Sequence, residues 1–389
     1  MIYLYVLLLR IVAYLEGPQK IVAFIAVFCI ISYSTLKRIP LKSLTKISKY
    51  NFYALVLCFS IAIHGLIFGN FLLRDVAVLL TYWIWLIFTY TYFKDKSIEQ
   101  CLKYILITFL VFNIANFLYF KIYFADQKYG VNSIMSLFGI YGYRIYFPLS
   151  SGANIFTSQL ALNALIVLYF IKESKVKYLY LIMYLFYFYM LILADSRLIL
   201  LFAIIFSFIY WFSLKTLLAF FKKFWWAIAI VFFVFLYIFY GTNWFDSFKR
   251  AGEIKGNILS RVDIWSLASD IIWSDYHLVF GHGLNGFENN LSAITQNALE
   301  KEHLQTSHNF LIQNIIDFGL FGFFIILSLI FGILKMLAKL KSQVITILIV
   351  MLLFMGITES IPSFYSFEPT LFFIVILSII LTQYERKID

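Results

Sequence analysis

The residues of this chain best suited to chemistry are arginines beside the starts of apolar runs, together with one histidine in the same kind of position. Arg74 and Asp75, Arg144 and Asn154, Asp195, Ser196 and Arg197, and Ser307, His308 and Asn309 each stand at or just before a long apolar segment. A guanidinium is planar, stays charged at any relevant pH and can donate two hydrogen bonds to one phosphate. Helix starts add unpaired amides and the positive end of a dipole, which favour the same ligand. The pattern points to a phosphate or diphosphate. Any one of these arginines has an ordinary use, reaching lipid headgroups or anchoring a helix end; as a set, they favour a shared anionic ligand.

From Thr306 to Gly322 the sequence reads TSHNFLIQNIIDFGLFG. On a helix Asn309, Gln313 and Asp317 fall four residues apart and make one polar stripe running into an otherwise apolar span. Polar groups at membrane depth are costly and normally line a cavity or a bundle interior. His308 is expected in the first turn, where the helix dipole keeps imidazole neutral, as a base or acceptor must be; the plain alternative is a histidine hydrogen-bonded at the interface. Gly319 and Gly322 read as close-packing positions. Glu359 is a second candidate base. Gly281, Gly283 and Gly286 in GHGLNG fit G-x-G-x-x-G, but without a surrounding βαβ unit the match is no dinucleotide fingerprint. These glycines read as tight turns near a substrate. Just upstream, SRVDIWSLASDII places Arg261 and Trp265 on an amphipathic helix suited to a membrane surface, with Trp265 either stacking on a sugar or anchoring at the interface.

These residues must be positioned by a membrane scaffold. Of 389 residues, 63% are hydrophobic and 13% charged, too little polar surface to coat a soluble particle. A soluble enzyme is excluded on composition. Cys29, Cys58 and Cys101 show no metal or redox spacing. No zinc cluster, phosphate loop, acidic metal box or G-x-S-x-G elbow stands in the sequence, so neither a metal nor a nucleotide cofactor is expected. Twelve apolar runs near 2–16, 20–36, 51–70, 72–93, 101–123, 152–172, 176–194, 197–213, 224–240, 308–334, 342–357 and 367–383 predict an all-α integral membrane protein. The first run is read as a retained helix, since it lacks a basic start and a cleavage site.

Alternate connections hold most of the lysine and arginine: residues 37–49, 94–103, 172–177, 215–223, 335–341 and 386–387. This side is expected to be cytoplasmic, with both termini on it. The net charge of +11 is mostly this topology signal; scattered over short loops, it forms no stripe for nucleic acid. The expected organisation is nine spans in 1–240, an extracytoplasmic loop with short helices over 241–306, and three spans in 307–389. Both long connections, 124–151 and 241–306, fall outside, and so do the candidate site residues.

The order of SR at 196–197, R-x-x-x-W from Arg261 to Trp265, G-x-G-x-x-x-F from Gly281 to Phe287, and HN at 308–309 followed by DFG at 317–319 resembles the O-antigen ligase and polymerase superfamily of bacterial envelope proteins. Twelve spans with a large outer loop between the ninth and tenth are similar to that family over essentially the whole chain. The resemblance implies a GT-C-like, metal-independent glycosyltransferase of the bacterial inner membrane, with a periplasmic active site and undecaprenyl-diphosphate-linked oligosaccharide as donor. Its partners would be that lipid, the surrounding membrane lipids and a chain-length regulator. Ligases of the WaaL type tend to show H-x-H-N before span 10, whereas Thr306 and Ser307 precede His308 here; the pattern favours a Wzy-type polymerase, with the ligase as the alternative.

On that reading Arg197 and Arg261, supported by Arg144 and Arg74, bind the diphosphate. His308 activates the acceptor hydroxyl, and Asn309 and Asp317 hold its helix end. Asn154, Trp265 and Glu359 complete the substrate-binding set. Single displacement would invert the anomeric configuration. A lipid-linked sugar flippase is the reading from a different class, opposed by the absence of a visible internal repeat.

Overall fold

A computed structural model of the chain describes residues 33, 73–124, 131–147, 153–212, 258–273, 276–283, 286–294, 306–359 and 367–388. The runs expected near 2–16, 51–70 and 224–240, that near 20–36 except Tyr33, and the basic stretches 37–49 and 215–223 lie outside the described residues. Within them the fold is helical, with no strand: α1 (Leu73–Phe93), α2 (Ile98–Tyr123), α3 (Ser133–Leu137), α4 (Ala153–Glu173), α5 (Lys177–Leu193), α6 (Arg197–Phe212), α7 (Ile258–Trp273), α8 (Gly286–Ile294), α9 (Phe310–Leu340), α10 (Gln343–Thr358) and α11 (Phe367–Ile388). A 3-10 turn covers Tyr276–Leu278.

Two of these helices, α2 and α9, are long and apolar enough to cross a membrane; α5, α6 and α10 are shorter apolar helices. Large apolar side chains lie exposed at helical spacing: Ile107, Val111, Ile114, Leu118 and Ile122 on α2, Tyr178, Ile182, Leu185 and Tyr189 on α5, and Leu201, Ile204, Ile205 and Phe208 on α6. Stripes of this kind are untenable against water and suit lipid tails. The chain is an α-helical membrane protein.

Helix ends follow local chemistry. Ser97 and Gln100 form a reciprocal capping box at the start of α2, the Ser97 Oγ accepting from the Gln100 amide at 3.2 Å and Gln100 Oε1 accepting from the Ser97 amide at 3.0 Å. Asn309 caps α9 and Asn132 caps α3. At the other end of α9, Lys341 takes the left-handed cap position.

The chain divides into two compact units, Met1–Phe112 with Arg261–Asp389, and Asn113–Ser260. In the first unit α1 packs on α11, and α9 packs on α10 and α11, around Trp85, Phe93, Leu102, Leu106 and Phe372. Thr89 and Ser378 share a hydroxyl hydrogen bond of 2.5 Å inside this core. At the end of α11, Gln383 and Arg386 donate to the Lys96 carbonyl at 2.7 and 2.9 Å, and Lys387 donates to the Lys339 carbonyl at 2.7 Å. In the second unit α4 and α5 form a hairpin with α6 against both; Phe170 stacks on Tyr180 at 5.1 Å, and Tyr184 donates to Ser207 at 3.0 Å.

Candidate functional site

The first unit builds its polar centre around a broken helix. Gly319 in α9 has φ 66° and ψ −171°, so the helix is interrupted two residues beyond Asp317, the last member of the stripe of Asn309, Gln313 and Asp317. The break frees backbone groups, and residues 279–283 take them up. His282 N–H donates to the Ile316 carbonyl at 2.7 Å, Gly283 N–H to the Asp317 carbonyl at 2.9 Å, and Phe321 N–H to the Val279 carbonyl at 3.1 Å. Backbones this close leave no room for side chains. A Cβ on Gly281 (φ 77°) would stand 2.4 Å from the Asp317 oxygen, and one on Gly319 would stand 2.3 Å from the Val279 carbonyl. The glycines of GHGLNG thus serve a loop threaded against a broken helix.

Helix α7 supports this arrangement from its apolar face. Ile264, Ala268 and Ile271 recur at helical spacing and pack with Phe287 and Ile316 in one buried cluster. Trp265 lies beside them, its indole N–H donating to the Ser307 carbonyl at 3.1 Å. The helix expected at the membrane surface is therefore packed on protein along this face.

His308 stands one residue before the cap, outside the first turn of α9, with φ 49°. The expected protection of a neutral imidazole by the helix dipole gives way to a specific partner. His308 Nδ1 lies 3.1 Å from Glu359 Oε2, with 29% of the histidine side chain exposed and 7% of the glutamate's. Glu359 follows α10 directly, and the two helix ends are joined a second time by Asn309 Nδ2, which donates to the Ile357 carbonyl at 3.0 Å. Asn309 Oδ1 meanwhile accepts from the Leu311 and Ile312 amides at 2.9 and 3.1 Å. Both functions of one amide are used, which a carboxylate, having no donor, could not match. An acceptor on Nδ1 suits the tautomer that leaves Nε2 with its lone pair.

Asp317 is buried, its Oδ1 accepting from Gln313 Nε2 at 3.0 Å and from the Gly286 amide at 3.1 Å. The rings of His277 and His282 stack at 4.4 Å, a contact that helical spacing could not reveal.

The second unit centres on the turn between α5 and α6. The last carbonyls of a helix lack intrahelical donors, and residues 131–147 supply them here. Asn132 Nδ2 donates to the Ile192 carbonyl at 2.7 Å, the Ile145 amide to Leu193 at 2.9 Å, and Arg144 Nε to Ala194 at 3.0 Å. Asp195, fully buried with φ 51°, accepts from the Ile134 amide at 3.1 Å and from Ser133 Oγ at 3.0 Å. Arg144 is buried, its Nη1 donates to the Tyr146 hydroxyl at 3.0 Å, and its guanidinium carbon lies 4.7 Å from the Tyr146 ring centre. This arginine closes a helix end, the ordinary use weighed for it above. Arg197, half-buried, is the first residue of α6.

Of the expected site residues, the structure brings together His308, Glu359, Asn309, Asp317 and Trp265 in one unit, and sets Arg144 against the turn that leads to Arg197 in the other. Arg74 and Asn154 lie in the first turns of α1 and α4, and Arg261 lies in the first turn of α7. Their side chains are outside the described residues. Asp195 and Ser307 are structural centres that sequence reasoning treated only as neighbours of a charged residue.

Residues 181–327 match the sequence profile of a family described as O-antigen ligase. The match contains Arg197, Arg261, Trp265, His308, Asn309 and Asp317, and leaves Arg144 and Glu359 outside. No curated protein matches the chain.

Proposed function

We propose, on the premise that residues 181–327 belong to the O-antigen ligase and polymerase superfamily, that this membrane protein is a polymerase of lipid-linked repeat units in surface polysaccharide assembly. It moves a growing glycan from undecaprenyl diphosphate onto the next lipid-linked unit at the outer face of the inner membrane. The observation that carries the chemistry is the pair formed by His308 Nδ1 and Glu359 Oε2 at 3.1 Å. With Nδ1–H held by the carboxylate, Nε2 takes the proton of the acceptor hydroxyl as that oxygen attacks the anomeric carbon. The new glycosidic C–O bond forms on the face opposite the leaving diphosphate, the old C–O bond breaks, and the configuration inverts. Arg197 and Arg261 neutralise the charge that develops on the diphosphate, with Arg74 in support. Arg144 contributes by fixing the turn before Arg197. Neither a metal nor a nucleotide has a step in this scheme.

The sidedness that the reading needs is supported by contacts within each unit. Segments expected inside meet one another, as the Lys96 carbonyl meets Gln383 and Arg386. Segments expected outside do likewise, as His308 meets Glu359 and residues 131–147 meet 192–195. A ligase that transfers finished chains to lipid A-core is the second reading, favoured by the description of the matched family; Thr306 two residues before His308, where ligases tend to carry histidine, favours the polymerase.

Lipopolysaccharide gels of a deletion strain separate the two. A polymerase defect leaves core plus one repeat unit, and a ligase defect leaves bare core with long chains on the carrier lipid. Complementation with Arg197→Ala or His308→Ala should fail with protein present at normal level. Long chains made by both variants would refute the site.

A further inference from the structure

His308 is the residue that the proposed chemistry most needs in one orientation, yet its own backbone is strained: a non-glycine residue at φ 49° occupies a region that L side chains disfavour. Something must hold it there. The peptide groups on both sides of Ser307, the preceding residue, are pinned. The Ser307 carbonyl accepts from the Trp265 indole at 3.1 Å, and Ser307 Oγ donates to the Asn309 carbonyl at 3.1 Å. The Ser307 amide donates to Gln313 Oε1 at 2.9 Å. Ser307 and Gln313 are both fully buried, so water is a poor substitute for these bonds.

The other end of the Gln313 side chain donates to Asp317 Oδ1 at 3.0 Å, and the same oxygen accepts the Gly286 amide at 3.1 Å. A chain of hydrogen bonds therefore runs from the glycine loop through Asp317 and Gln313 to the peptide that precedes His308. Position 313 needs an acceptor at one end and a donor at the other, in a neutral side chain of this length. Glutamine meets that need. A glutamate would keep the acceptor but face Asp317 with a second carboxylate until one proton is shared between them.

We infer that Gln313 is a positioning residue: through the Ser307 amide it holds His308 in the left-handed conformation that aligns its imidazole with Glu359. The inference rests on the reading of His308 as the base, and its test keeps the two apart. The substrate is the lipid-linked repeat unit extracted from the deletion strain, and the enzyme is the full chain in detergent, normalised to the fraction eluting as a single folded species. Gln313→Leu is expected to lower kcat by about 10- to 100-fold with KM changed less than about twofold, because bound substrate meets a misaligned base. Gln313→Glu, which shares one proton with Asp317 and so keeps both the acceptor for the Ser307 amide and a donor to Asp317, is expected to hold kcat within about threefold of wild type.

A purely structural role would lower the yield of folded protein and leave kcat of the folded fraction near wild type. Should Gln313→Leu fail to fold, Gln313→Met, of nearly the same length and without either hydrogen bond, takes its place. Wild-type kcat in Gln313→Leu, or a loss in Gln313→Glu as large as in Gln313→Leu, while His308→Ala is inactive, overturns the role of Gln313. Activity in His308→Ala overturns the base assignment itself.

Discussion

Replacing Glu359 tests the proposed chemistry most directly, because the size of the effect follows from the geometry. At the 3.1 Å separation of His308 Nδ1 and Glu359 Oε2, an imidazolium and a carboxylate attract by about 1 kcal/mol in water-like surroundings and about 5 kcal/mol at an effective dielectric near 20. The carboxylate is buried while the imidazole keeps 29% exposure, so solvent screens part of this and about 2–3 kcal/mol is the reasonable middle. That energy acts in the transition state, where the imidazole gains its proton, and amounts to roughly 30- to 150-fold in rate. Glu359→Gln keeps an acceptor for Nδ1–H but loses the charge, so kcat should fall by that factor. Glu359→Ala releases the ring orientation as well and should cost about a further tenfold. The assay is the initial rate of chain extension on extracted lipid-linked repeat unit, read from the ladder of products. Because the two side chains act as one device, the double variant His308→Ala with Glu359→Ala should be no slower than His308→Ala alone. Multiplicative losses, or a Glu359→Gln enzyme at the wild-type rate while His308→Ala is dead, would refute the pairing as the source of catalysis.

Three further substitutions probe the scaffold. Gly281→Ala places a Cβ 2.4 Å from backbone atoms of α9 at a position with φ 77°, whereas Gly139, with φ 71°, has open space around it. The first should lower the melting temperature and abolish activity; the second should cost only the strain of the left-handed backbone, about 1 kcal/mol, and stay active. Asp195→Ala strands the Ile134 amide and Ser133 hydroxyl in a buried turn, a destabilisation of about 2–4 kcal/mol, read as protease sensitivity in residues 131–147. A melting temperature and cleavage pattern unchanged from wild type would remove Asp195 from the role given to it.

Most of the helices could be read from apolar runs alone, because a lipid-facing helix must be apolar over its whole length and leaves little else to confuse with it. The stripe of Asn309, Gln313 and Asp317 was legible for a related reason, since polar side chains in such a run must find one another. What sequence spacing could not supply was the break at Gly319. A glycine in a membrane helix reads equally as close packing or as interruption, and only the approach of residues 279–283 decides between them. The partner of His308 was beyond reach as well. Glu359 stood as a separate candidate base, fifty-one residues away, and no periodicity joins two helix ends. For Arg144 both uses were visible, anion ligand and helix anchor, and the carbonyl of Ala194 selects the second for its Nε edge.

Three non-glycine residues among those described adopt positive φ: Asp195, His308 and Lys341. Lys341 ends a helix, where that conformation is routine. The other two stand just before helix starts, one in each unit, and glycine would satisfy the backbone at either place at lower cost. Each has instead a side chain that does something a glycine could not. Asp195 ties residues 133 and 134 to the turn ahead of Arg197, and His308 meets Glu359. Strain of about 1–2 kcal/mol at each site is offset by the polar contacts around it, so the fold tolerates the conformation for the sake of the side chain. On this reasoning His308→Gly, which gains the relaxed backbone but loses the contact with Glu359, should fold within about 1–2 kcal/mol of wild type while making no polymer, and Asp195→Gly should relax its own backbone yet loosen residues 131–147. A His308→Gly protein that melts well below wild type would show that the imidazole serves the fold first, and that the strain at 308 is no mark of chemistry.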